Sequence, residues 1–140
     1  QRFAQYIQSE QLEVVALLIT HAHPDHVCGL EFMEQTYGLK AIVEPAEGKL
    51  DISYFDIQVI ATPGHKEDCV CYYLPKENII FTGDTLFQES IGRTDLPGGD
   101  MTTLIRSLKK LITMPDNTHV YPGHGYPTTI EHEKMYNPYL

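Results

Sequence analysis

A chain of 140 residues, 42% of them hydrophobic and 21% charged, has room for one domain with a sizeable core and not for two. Its formal net charge of −9 argues against a polyanionic partner. Nucleic-acid binding shows as a basic stripe, and none is visible. The longest purely apolar run, Val14 to Ile19, is far too short to span a membrane.

In chain order, Arg2 to Ser9 has the makings of a short helix. Glu13 to Thr20 is nearly continuous in Val, Leu and Ile and reads as a strand buried on both faces. Val27 to Tyr37 carries helical spacing and ends at Gly38, a C-cap residue. Lys40 to Glu44 is a short strand, and a second strand lies within Ile52 to Ala61. Cys69 to Leu74 and Asn78 to Thr82 form two strands joined by a turn at Pro75-Lys76-Glu77. Gly83 to Gly99 reads as a long loop. Asp100 caps a helix over 101–112, with Leu104, Ile105, Leu108, Leu111 and Ile112 on one face. A last strand at Thr118 to Tyr121 precedes a loop and a final helix, Thr128 to Tyr136. The alternation describes one α/β domain over 1–140, with no repeat and no linker.

The chemistry sits at strand ends. Four apolar segments each run into a metal-ligand type of residue: LLIT before His21, VIATPG before His65, IIFTG before Asp84 and HVYPG before His124. In three of them a Gly directly precedes that residue, where a sharp bend is needed. His21 and His23 stand two apart in THAHPDH, so on extended backbone both rings reach one ion. Asp25 and His26 are left for a second. Nitrogen and carboxylate donors in this mix suit zinc, with iron and manganese as alternatives. Asp84 has two oxygens and can bridge two ions, which together acidify a water held between them.

His21-Ala22-His23-Pro24-Asp25-His26 resembles the H-x-H-x-D-H signature of the metallo-β-lactamase superfamily, with His65, Asp84 and His124 matching its later ligands in order. The segments FTGDTLF, IGRTDLPGGD, YPGHGYPTTI and NPYL are similar to short glyoxalase II-like hydrolases. The resemblance implies an αββα sandwich. It implies two Zn²⁺ per chain, one on His21, His23 and His65 and one on Asp25, His26 and His124, with Asp84 bridging. It further implies that a hydroxide held between the ions attacks a small-molecule thioester, of the hydroxyacylglutathione kind, and that Asp25 and Asp84 act in catalysis. Arg93, nine places after Asp84, and Tyr126, two after His124, take the positions of glutathione contacts.

Three departures stand out. About twenty residues precede His21 where the family has several strands, so the sandwich reads as truncated at its N-terminus and an apolar edge is exposed. A chain starting at Gln1 without Met reads as a fragment or a processed product. The interval from His26 to His65 is short, and Lys66-Glu67-Asp68-Cys69 follows the TPGH turn. Two alternatives accompany the hydrolase. Persulfide dioxygenases, mononuclear iron enzymes of the same fold, resemble this chain at Arg93-Thr94-Asp95 and Cys69, although Pro122-Gly123-His124-Gly125-Tyr126 favours the hydrolase branch. The other alternative is a non-catalytic, incomplete fragment. Cys28, Cys69 and Cys71 are odd in number and no secretory segment precedes them, which points to the cytoplasm. Cys69, Cys71 and Cys28 read as packed thiols, His119 and His132 as structural, and Lys109-Lys110 as a solvated helix face. The sequence leaves the native metal, acyl group, thiol carrier and oligomeric state open.

Overall fold

The computed structural model describes residues 2–140. Helix α1 (Arg2–Ser9) buries only Ile7. The apolar run that follows is extended, but it is not the doubly buried strand that its composition suggests. Among the described residues a single parallel bridge, Leu18 to Ile42, is its only strand pairing, and Val14 to Ile19 are all half-buried. Composition set its conformation; its burial depends on neighbours, and few are present. The expected strand at Lys40 to Glu44 shrinks to that same bridge. Glu44 has φ 50, a left-handed backbone that a strand does not accommodate.

The single helix expected over 27–37 is two pieces, α2 (Pro24–Val27) and α3 (Leu30–Tyr37), parted at Cys28-Gly29. Pro24 opens α2, where its missing N–H costs nothing, and Gly38 ends α3 at φ 64. A strand that sequence reading missed, β1 (Gly48–Ile52), pairs antiparallel with β2 (Phe55–Ala61) across Ser53-Tyr54. β3 (Val70–Leu74) and β4 (Ile79–Gly83) continue the antiparallel ladder. The long loop holds a small hairpin, β5 (Leu86–Phe87) and β6 (Ser90–Ile91). Helix α4 (Met101–Leu111) starts at Asp100, whose carboxylate accepts from the Thr103 N–H at 2.8 Å. β7 (His119–Pro122), β8 (Thr128–Thr129) and α5 (Ile130–Tyr136) complete the chain.

The main sheet has the order β1-β2-β3-β4-β7-β8. Its one parallel pair among the described residues is β4 with β7, reached by crossing over through α4. Parallel pairing brings the C-terminal ends of both strands to the same edge, and those ends carry Asp84 and His124. One sheet face packs Cys71, Ile80 and Val120 against Leu104, Leu108 and Leu111 of α4 and Ile130 of α5. The other face gathers Ile57, Val59, Val70, Tyr72 and Leu74, with Leu18 of the extended run laid over them. The expected sheet-and-helix sandwich is present: α4 and α5 cover one face of the mixed sheet, and on the other side Leu30 and Met33 of α3 lie beside Leu17 to Ile19 of the extended run. The second layer is the extended run and its bridge, and Phe81 and Tyr121 remain partly exposed beside it, their rings 5.7 Å apart.

Candidate metal centre

His21 and His23 leave the end of the extended run, and Asp25 and His26 lie on the first turn of α2. His65 follows the Thr62-Pro63-Gly64 turn after β2. Gly64 is required there: its φ is 142, and a Cβ would stand 2.4 Å from the Leu104 backbone. Asp84 and His124 follow Gly83 and Gly123, and the Gly123 N–H donates to the Gly83 carbonyl at 2.7 Å. A side chain at Gly123 would reach 2.5 Å from Asp84 Oδ1 and 2.7 Å from His26 Cε1. The glycines keep the space between the ligands open.

These elements assemble two groups, His21, His23 and His65, and Asp25, His26, Asp84 and His124, with candidate ligand atoms in each group within 4.8 Å of one another. Asp84 Oδ2 is the common point. It lies 3.1 Å from His26 Nε2 and 3.5 Å from the Nε2 atoms of His21, His65 and His124. His23 Nδ1 is 3.0 Å from His65 Nε2, and His124 Nε2 is 3.0 Å from Asp25 Oδ2. All seven expected ligand residues come together.

The residues fit a pair of ions. His21 Nε2 and Asp84 Oδ1 are buried with no hydrogen-bond partner among the described residues, a rare and costly state that a cation relieves. The supporting bonds point the rings inward. The Arg93 carbonyl can only accept, so His65 Nδ1 donates to it at 2.8 Å and Nε2 faces Asp84 with its lone pair. Thr20 Oγ1 holds His21 Nδ1 at 3.1 Å. Burial and the neighbouring His65 lower the pKa of His23. Burial raises that of Asp84, but the His21 ring and the charges of His26 and His124 outweigh it and hold the carboxyl below its usual range. Both shifts favour the deprotonated, ligating forms.

An open cleft of about 390 Å³ lies over the two groups, lined by His23, Asp25, His65, Asp84 and His124 and walled by Phe87, Ser90, Ile91, Arg93 and Leu96. Arg93 is at its rim, tied to Asp95 by two hydrogen bonds of 2.7 Å. Tyr126 is 76% exposed and is not among the lining residues, so the structure does not bring it to the cleft. Sequence reading missed the Phe87, Ser90, Ile91 and Leu96 wall and the Arg93 carbonyl. Two-residue strands have no readable period, and a backbone acceptor leaves no sequence signal.

The cysteines lie outside both groups. Burial pushes the Cys69 thiol up to about 12 and that of Cys71 to about 11, so both stay protonated and inert. Cys28 is exposed rather than packed. An alkylating reagent at neutral pH is expected to add once to the native chain, at Cys28, and at all three cysteines after denaturation. Intact mass reads the result; rapid native labelling at Cys69 or Cys71 contradicts the burial. His119 is exposed on β7, and the His132 ring packs tilted against Tyr136 with ring centres 4.8 Å apart. Lys110 is not merely solvated: its Nζ donates to the Ala61 carbonyl at 2.9 Å.

The family model for the metallo-beta-lactamase superfamily matches residues 1–52 and 55–124. The chain is 34% identical to a probable metallo-hydrolase, YqgX of Bacillus subtilis, over 97% of this chain and 80% of that one. It is 32% identical to hydroxyacylglutathione hydrolase GloC of Haemophilus influenzae, over 100% and 82%. The aligned stretch with YqgX is 169 residues against 140 here, so the relative carries residues inside the match that this chain lacks. The one break in the family match, at 53–54, falls within the short His26 to His65 interval. Among solved structures, the BLEG-1 B3 metallo-beta-lactamase superposes with TM-score 0.96 at 34% identity, covering 99% of this chain and 82% of that one. TTHA1623 in a di-iron-bound form gives 0.92 at 32%, covering 99% and 84%. ETHE1 from Myxococcus xanthus gives 0.90 at 32%, covering 98% and 67%. The chain belongs to the metallo-beta-lactamase superfamily.

Proposed function

We propose that this chain is a dinuclear metal-dependent hydrolase of small thioesters, with hydroxyacylglutathione-type molecules as the substrate class. The observation that supports it is the completeness of the second ligand group, Asp25, His26, Asp84 and His124, which a one-ion enzyme does not need. His21, His23 and His65 would hold one ion, Asp25, His26 and His124 the other, with Asp84 shared. When bound, the pair supplies Lewis acidity and an acidified water, the two requirements of acyl transfer from sulfur. Asp25, half exposed at the cleft and next to His124, would also orient that water. Phe87, Ile91 and Leu96 offer an apolar wall to the acyl or thiol chain. Arg93 offers a guanidinium to a carboxylate on the thiol carrier, in exchange with Asp95. Tyr126 would add a contact only outside the cleft wall. The unpaired cysteines support a reducing compartment such as the cytoplasm. No helix among the described residues is long and apolar enough to cross a membrane.

The comparisons give more support to the alternative, a mononuclear iron persulfide dioxygenase of the same fold, through the likeness to ETHE1. TTHA1623 in its di-iron-bound form supports iron as the metal while holding two ions rather than one, and the Arg93-Thr94-Asp95 segment carries a formed ion pair. The metal would be iron, zinc or manganese, and the reaction separates the readings. Iron- and zinc-loaded protein is to be assayed without oxygen for thiol release from S-lactoylglutathione, and with oxygen for its consumption in the presence of glutathione persulfide. Anaerobic catalytic thiol release supports the hydrolase. Oxygen uptake without thiol release overturns it in favour of the oxygenase.

A further inference from the structure

Glu133 is 0% exposed on a short helix that faces the core, where an apolar residue would pack with no cost of burying charge. No cation among the described residues pairs with it. Its oxygens instead accept from the Glu89 N–H at 2.7 Å, the Thr128 hydroxyl at 2.7 Å and the Asn137 amide at 2.9 Å. Asn137 Nδ2 also donates to the Ser90 carbonyl at 3.0 Å. Two of these groups, the Glu89 N–H and the Ser90 carbonyl, belong to the β5–β6 hairpin.

That hairpin is weak on its own account. Its strands are two residues each, and isolated hairpins are marginal even when longer. Its turn places Glu89 at φ 54, a left-handed backbone that disfavours a residue with a side chain. Leu86 and Ile91 are buried and hold its base, with the Thr82 hydroxyl donating to the Leu86 carbonyl at 2.8 Å. The tip is tied by Glu133 and Asn137. Phe87, Ser90 and Ile91 of the same hairpin line the cleft.

We infer that Glu133 is a positioning residue. It fixes the hairpin tip, and with it the cleft wall, over the two ligand groups without touching either. The inference rests on the cleft being the substrate site proposed above. Glu133→Ala removes the acceptor. Glu133→Gln keeps a carbonyl oxygen for Glu89 and Asn137 and presents an amide to the Thr128 hydroxyl, which can accept. Amide exchange in Glu133→Ala is expected to speed up at Glu89 by at least about tenfold. With S-lactoylglutathione, KM is expected to rise by about tenfold with a smaller fall in kcat and unchanged metal content. Glu133→Gln is expected to restore both. Unchanged exchange at Glu89, a proportional loss of metal, or a Gln variant as damaged as Ala overturns the inference. Should Glu133→Ala not fold, Asn137→Ala reads the same tie through faster exchange at residues 89–91, and normal exchange there is equally contrary. An inactive wild type defeats the thioester reading alone, because exchange and metal content still decide the role of Glu133.

Discussion

In Asp84→Ala, both bound ions are expected to be lost together, not one. Among the described residues, the carboxylate is the only side chain whose single oxygen, Oδ2, lies within 3.5 Å of histidines from both groups, His21 and His65 on one side and His26 and His124 on the other. Loss of a residue that merely orients a ligand costs about 10–100-fold in metal affinity. Loss of the shared ligand is expected to cost at least about a hundredfold at each group by the same scale. Turnover falls by at least about 10²–10³-fold, the loss seen for removing one stabilising contact from a reaction centre. The helices and sheet persist, since Asp84 belongs to neither core cluster. Metal analysis with circular dichroism on the same sample reads both. A folded Asp84→Ala chain that still holds two ions removes the shared-ligand account.

Gly92→Ala is expected to be the most damaging single methyl addition in the chain. A Cβ at Gly92 would stand 1.7 Å from the Asp84 carbonyl oxygen, 2.9 Å from its carbon and 3.3 Å from His65 Cβ. The obstruction is backbone, so no rotamer change relieves it. The Gly92 N–H is also bonded to the Thr85 carbonyl at 3.3 Å, which stops the loop from backing away. Overpacking of this kind costs about 3 kcal/mol, or roughly 10 °C in Tm for a domain of this length. The shift it forces falls on Asp84 and His65, so metal affinity drops with stability. Gly29→Ala is the control. Nothing lies within 4 Å of its Cβ position and its φ is −98, so stability is expected to stay within about 0.5 kcal/mol. Thermal melts of both variants check the pair; equal Tm values contradict the packing around Asp84.

The ligand groups were legible because each ligand ends a short apolar strand, and strand ends sharing an edge converge. THAHPDH told the same story by density alone. What sequence could not show was context. Val14 to Ile19 reads as a core strand by composition, yet composition does not say what packs beside it. β1, with its alternating exposed and half-buried residues, is too polar for an apolar-run reading to find. Glu44 and Glu89 take left-handed backbones that nothing in their side chains announces. Arg93 was singled out for its guanidinium, whereas its carbonyl is what orients His65. Glu133 reads as one more surface carboxylate on a charged helix, and only tertiary structure places it under the hairpin.

The central claim is two ions per chain sharing Asp84. The direct measurement is titration of chelator-stripped protein with Zn²⁺, and separately with Fe²⁺ without oxygen, followed by calorimetry and checked by elemental analysis after desalting. The account predicts saturation at two ions per folded chain, with the Asp84→Ala chain binding neither tightly. Saturation at one ion, or two ions held equally well without Asp84, would contradict it.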